Sequence, residues 1–120
     1  TVAQTKLSLL LVGQPPLLSG LRRHASFDER LDMKVLLKPF SEQETADYII
    51  HRLNAAGAMR PIFSTEAMET AHHLSGGIPR QINRLCDLAL VVGFAASQES
   101  IEPGDLESVH RELVSIPAAA

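Results

Sequence analysis

The sequence has no phosphate-binding loop. Its lysines are Lys6, Lys34 and Lys38, none follows a glycine, and no G-x-x-x-x-G-K-[ST] run exists. A G-x-G-x-x-G turn and a G-x-S-x-G elbow are also missing. No stretch of these 120 residues therefore reads as a complete catalytic site. There is one cysteine, Cys86, which excludes an internal disulfide. Cys86 lies in a helical apolar pattern and reads as a buried structural thiol. No apolar run approaches the ~18 residues of a membrane span. The longest are Leu7 to Val12, with Ser8 inside, and Leu88 to Ala96, with Gly93 inside. A signal peptide is not visible between Thr1 and Pro15. Positive charge is short as well: the net charge is -3 and the pI about 5.9. That opposes a general nucleic-acid binder, whose affinity rests on many phosphate contacts. The chain opens on Thr1 and reads as part of something longer.

What is present suits one domain, or slightly more, of a globular protein. Lys6 to Val12 is a short apolar run stopped by Gly-Gln-Pro-Pro, the pattern of a strand buried on both faces. Pro15-Pro16 open a short helix from Leu17 to about His24. Its leucines Leu17, Leu18 and Leu21 are expected inward, and Arg22 and Arg23 outward. Ser26 to Asp32 is charged and irregular, and Met33 to Leu37 is a second strand candidate. Strand, helix and strand in this order predict a βαβ unit. Such a pair of parallel strands does not stand alone, since parallel strands occur in larger covered sheets.

From Ser41 onward the periodicity is helical. Ser41-Glu42-Gln43-Glu44 predicts a capping box. Ala46, Ile49, Ile50 and Leu53 form an apolar stripe that ends at Gly57. Ser64 caps a second helix with Ala67, Met68, Ala71 and Leu74 inward, and Gly76 stops it. Pro79 starts a third, on which Ile78, Ile82, Leu85, Ala89, Val92 and Ala96 repeat at helical spacing. Its stretch from Leu88 to Ala96 is apolar all round and is expected to be buried. Ile101 stands alone, and Glu102-Pro103-Gly104-Asp105 begins a fourth helix with Leu106, Val109 and Leu113 inward. Ile116 to Ala120 reads as a frayed tail. The predicted fold class is mainly α with a small α/β part. Residues 1–40 form the βαβ piece and residues 41–116 a four-helix bundle.

The candidate functional stretch is Gly76-Gly77-Ile78-Pro79-Arg80-Gln81-Ile82-Asn83-Arg84. Arg80 sits near a helix start, where a cation opposes the helix dipole. A cation placed there beside a Gly-Gly turn points to an anion outside the helix. Arg84 is one turn further on, and Asp87 is spaced to pair with it at i,i+3. His72 and His73 are adjacent on a helix, point about 100° apart and make a poor metal pair, so no metal site is expected.

Several strings carry a resemblance to a known family. They are Leu11-Val12-Gly13-Gln14-Pro15, Leu37-Lys38-Pro39-Phe40, Phe63-Ser64-Thr65-Glu66-Ala67, and Gly76-Gly77-Ile78-Pro79-Arg80 through Ile82-Asn83 to Leu85-Cys86-Asp87. Over about Leu7 to Leu113 the chain resembles AAA+ ATPases of the general secretion pathway protein A family. Related ATPases of polysaccharide export and of transposition share much of the pattern. The resemblance implies that residues 1–40 are the end of an ATPase core and residues 41–116 its helical lid. It implies catalytic roles for Gln14, as a sensor of the attacking water, and for Arg30, as an arginine finger toward a neighbouring subunit. It implies cofactor binding at Gly77, Pro79, Arg80 and Arg84, with Arg80 the lid arginine on the nucleotide phosphates. ATP and Mg²⁺ would belong to the full-length protein, with none expected on this chain alone, which should be inactive by itself. The expected partners are an upstream P-loop core of the same protein, neighbouring AAA+ subunits and secretion or export machinery. Bare strand edges predict self-association of the isolated chain, the expected location is cytoplasmic, and direct nucleic-acid binding is not expected. The alternative reading is a helix-turn-helix or structural adaptor module, with Arg80, Gln81 and Arg84 on its third helix.

Overall fold

The computed structural model describes residues 6–116. The positions ahead of Lys6 and the tail beyond Ile116 lie outside the described residues. The chain divides into two compact units between Leu37 and Lys38.

In the first unit, α1 spans Pro16–Arg22 and α2 spans Ala25–Asp28. Pro16 is among the first helical residues of α1, where its missing N–H leaves no bond unmade. The Leu17 N–H donates to the Gln14 carbonyl at 2.9 Å and closes the entry turn. Leu18 and Leu21 are half-buried, while Arg22 and Arg23 are exposed. The charged segment after it is not wholly irregular: α2 makes one turn of it, and Asp28 pairs with Lys34 at 2.7 Å.

The two expected strands are not formed. Residues 6–14 and 33–40 carry no regular structure, and no sheet occurs among the described residues. None of the backbone N–H or C=O groups from Lys6 to Gly13 is paired there. The physical reason is that an apolar strand gains its stability from a partner ladder and from cover on both faces. Here neither is present: Leu7 is 85% and Leu37 88% exposed, and no residue between 6 and 37 is buried.

The second unit holds four helices: α3 Glu42–Ala55, α4 Thr65–Ser75, α5 Pro79–Ala95 and α6 Pro103–Ser115. Their ends follow the local sequence. The Ser41 hydroxyl accepts from the Glu44 N–H at 3.2 Å, and the Glu44 carboxylate accepts from the Ser41 N–H at 2.8 Å, closing the capping box. Ser64 caps α4 through the Ala67 N–H at 3.1 Å. At α6 the cap is Glu102, with Asp105 accepting its N–H at 2.8 Å.

Helix α4 packs against all three other helices. Ala67 and Ala71, fully buried on its inner face, let the neighbouring helices approach closely. Ile49, Ile82, Leu85, Ala89, Leu106 and Val109 complete the core from α3, α5 and α6. Ile101 belongs to that core too. Its N–H donates to the Ile62 carbonyl at 2.8 Å and its carbonyl accepts from Ser64 at 3.1 Å. This parallel bridge between Phe63 and Ile101 ties the α3–α4 and α5–α6 connections together.

The far half of α5 departs from expectation. Ala89 and Gly93 are buried, but Val91, Val92 and Ala96 are exposed and Phe94 is 87% exposed. A helix in a two-layer bundle has only one covered face, so an all-apolar sequence still leaves its outer face in solvent. Gly93 continues the buried face of Ile82, Leu85, Cys86 and Ala89, and the Ile101 side chain lies where its Cβ would be.

Candidate functional site

The site is built around the α4–α5 turn. Gly76 ends α4 at φ +64° and Gly77 follows at φ +74°, two consecutive left-handed residues. Ile78 then returns to extended backbone and Pro79 begins α5. A reversal this tight needs glycine for its backbone angles, and at Gly77 it needs glycine for space as well. A Cβ there would overlap the Phe40 carbonyl oxygen and lie 3.2 Å from His72 Cε1. The Phe40 N–H donates to the Gly77 carbonyl at 2.8 Å, and the Gly77 N–H donates to the Ser75 hydroxyl at 3.2 Å. The turn is thus fastened from both sides.

This fastening sets where the predicted site residues lie. Gly77 is buried and Pro79 half-buried, while Arg80 and Arg84 are exposed one turn apart on the outer face of α5. These four are brought together at one helix start. Neither arginine has a hydrogen-bond or ion-pair partner among the described residues. The expected Arg84–Asp87 pair does not form: Lys34 with Asp28 is the one ion pair there. Arg84 instead borders a cleft of about 90 Å³ with Gln81, Leu74, His110 and Leu113. Asp87 borders a different cleft, against α3. The two side chains are neighbours on the outer face but line different clefts.

Gln14 and Arg30 belong to the first unit, and both are exposed. The Gln14 carbonyl is engaged by Leu17, and the Arg30 N–H donates to Phe27 at 3.1 Å. Their side chains have no partner among the described residues.

A polar cluster between α3 and α5 was not foreseen from the sequence. The Tyr48 hydroxyl donates to Asn83 Oδ1 at 2.8 Å, and Arg52 Nη1 donates to the same oxygen at 3.0 Å. The Arg52 guanidinium also lies 5.9 Å from the centre of the Tyr48 ring. The hydrogen bond and charge of Tyr48, and then the Asp87 carboxylate, raise the Arg52 pKa. This cluster rims a cleft of about 130 Å³ floored by Ile49, Leu53, Ile82 and Leu90. The signal available in the sequence was the i,i+4 spacing of Tyr48 and Arg52, but nothing in spacing selects Asn83 as their partner. At the same cleft Cys86 is buried, as expected, and desolvation pushes its thiol up to about 12.

The His72 and His73 rings lie 5.6 Å apart, edge to face. His72 Nδ1 shares a 2.9 Å hydrogen bond with the Thr45 hydroxyl, and Thr45 is 0% exposed. No three His, Cys, Asp or Glu side chains converge among the described residues. No described helix is long and apolar enough to cross a membrane. Chemically, the α5 start offers two unpaired guanidinium groups with no carboxylate between them, a donor set suited to an anion rather than to a cation.

The likeness to general secretion pathway protein A is borne out by a relative. The chain is 39% identical over 112 residues to "General secretion pathway protein A" of Aeromonas hydrophila. The match takes in 92% of this chain and 20% of the relative, so the chain spans about a fifth of that protein's length. No protein-family model matches the chain. No solved structure matches it either.

Proposed function

Because the chain is related over nearly its whole length to general secretion pathway protein A, we propose that it is the last part of the core and the helical lid of a P-loop AAA+ ATPase serving secretion machinery. The observation that carries this reading is the setting of Arg80. An exposed cation stands in the first turn of α5, against the helix dipole, with no partner among the described residues. The turn that presents it is held by the bond from Phe40 to Gly77. That placement suits contact with a nucleotide phosphate, and Arg84 one turn on supplies a second cation. Gln14 orients the attacking water and Arg30 reaches a neighbouring subunit's nucleotide, each through an exposed side chain of the first unit. The phosphate loop and the Mg²⁺ ligands come from elsewhere in the full-length protein, because no such loop is in this sequence and no acidic cluster is in the described residues.

Two measurements test this. In the full-length protein, Arg80→Ala slows ATP turnover by roughly tenfold or more, as removal of a charge-stabilising donor does; unchanged turnover overturns the reading. In calorimetry the 120-residue chain alone shows no micromolar nucleotide affinity, and such affinity would contradict the division of labour proposed. A DNA-recognition role for α5 fits less well. Its outer face continues from Arg84 into exposed Val91 and Phe94, which cannot engage a phosphate backbone.

A further inference from the structure

The connection into the second unit reaches the turn that carries Arg80. Phe40 lies three residues after Leu37, where the first unit ends. Pro39 disfavours helical backbone at Lys38, and residues 33–40 carry no regular structure. The Phe40 N–H donates to the carbonyl of Gly77, three residues before Arg80, at 2.8 Å. The Phe40 ring packs on Tyr48 of α3 with centroids 5.3 Å apart. Beside the same point of Gly77 stands the His72 ring, itself held by the buried Thr45 hydroxyl at 2.9 Å. The Ser75 hydroxyl accepts the Gly77 N–H and donates to the His72 carbonyl, each at 3.2 Å. Gly77 is therefore enclosed by Phe40, His72 and Ser75, with no room for a side chain.

We infer that this enclosure is a coupling device: the clasp from Phe40 to Gly77, braced by His72 on Thr45, makes the connection at Lys38–Pro39 and the Arg80 turn move as one. Gly77, Phe40, His72 and Thr45 are positioning residues in this scheme, acting through Arg80 and not on a ligand. The inference rests on the proposed role of Arg80, but the clasp is measured separately from that role. A phosphate-reading arginine needs a turn that holds its place, and this bond fixes the turn to the segment that enters α3. A free loop would leave the arginine mobile, whereas a backbone hydrogen bond into a closed turn restrains it.

The first arm is amide exchange on the 120-residue chain. The Phe40 N–H is protected in the parent sequence, and Gly77→Ala lowers that protection roughly tenfold or more. The Ile82 and Leu85 amides within α5 stay within roughly threefold. Should Gly77→Ala not fold, Thr45→Val supplies the same readout, and Thr45→Ser, which keeps the hydroxyl, restores protection. An unprotected Phe40 amide in the parent, or protection indifferent to both substitutions, overturns the clasp. The second arm is ATP turnover by the full-length protein. Gly77→Ala and Thr45→Val lower kcat at unchanged KM, in the same direction as Arg80→Ala, and Thr45→Ser recovers it. If Arg80→Ala slows turnover while the clasp variants do not, the coupling inference fails alone. If Arg80→Ala has no effect, the functional reading fails, whatever the exchange data show.

Discussion

Two helical glycines offer a controlled test of the packing. Gly93 lies within α5 and Gly104 in the first turn of α6. Replacing either with alanine removes backbone freedom from the unfolded chain and gains about 0.5–1 kcal/mol. Only the surroundings differ. A Cβ at Gly104 meets nothing within 4 Å, but at Gly93 it falls 2.6 Å from Ile101 Cδ1 and 3.3 Å from Gln98 Oε1. Ile101 is 3% exposed, and its backbone is bonded to both Ile62 and Ser64. Its end carbon must shift to admit the new one, and in a buried side chain that shift repacks the neighbours. An extra carbon forced into a packed core costs about 1–3 kcal/mol. The cost exceeds the backbone gain at Gly93 and is absent at Gly104. Gly93→Ala therefore destabilises by about 1 kcal/mol, and Gly104→Ala stabilises by about 0.5 kcal/mol or slightly more. In a domain of this size 1 kcal/mol moves Tm by about 4–8 °C. Urea and thermal melts followed by circular dichroism should place the two variants on opposite sides of the parent. A Gly93→Ala protein that melts at or above the parent refutes the close approach of α5 to Ile101.

The remaining predictions concern the buried thiol and the α3 cap. Cys86 titrates at 9.0 when unperturbed and is pushed up to about 12 in the fold, first by burial and then by Asp87. The fold thus prefers the neutral thiol. That contribution is complete below the unfolded pKa and is lost as pH rises toward the folded one. The urea midpoint should fall between about pH 8 and about pH 10.5, and fall less in Cys86→Ala. A thiol reagent should leave Cys86 unmodified near pH 8 until denaturant is added. Ser41→Ala removes the 3.2 Å bond to the Glu44 N–H and should cost about 1 kcal/mol in the same melts. A change below about 0.3 kcal/mol would mean that the capping box does not hold α3.

Much of the second unit was legible because its signals are local. Ser41, Ser64, Gly76 and Pro79 act on amides or carbonyls within a few residues, so spacing alone predicts the helix ends they make. The inward residues of α4 and α6 follow directly from helical periodicity. The first unit was less legible. Lys6 to Val12 has the composition of a covered strand, but composition does not supply the partner strand that would pair its backbone. Of the candidate site, the exposed arginines at the α5 start were legible from Gly-Gly-Ile-Pro-Arg, whereas the supposed Arg84–Asp87 pair was not formed. Residues three apart are near each other on a helix, yet packing here turns them toward different clefts.

By itself the sequence determined where the helices of the second unit begin and end, that Cys86 is buried, and that cations stand at the start of α5. These follow from contacts within one or two helical turns, whose geometry is the same in any helix. The tertiary structure alone decided that Val91 and Phe94 face solvent while Gly93 faces Ile101. It also decided that Tyr48 and Arg52 meet at Asn83, and that Phe40 closes on Gly77. Each of these joins positions on different elements or asks which helix face is covered. Periodicity defines a face but not what lies against it, so only the packed bundle could settle them.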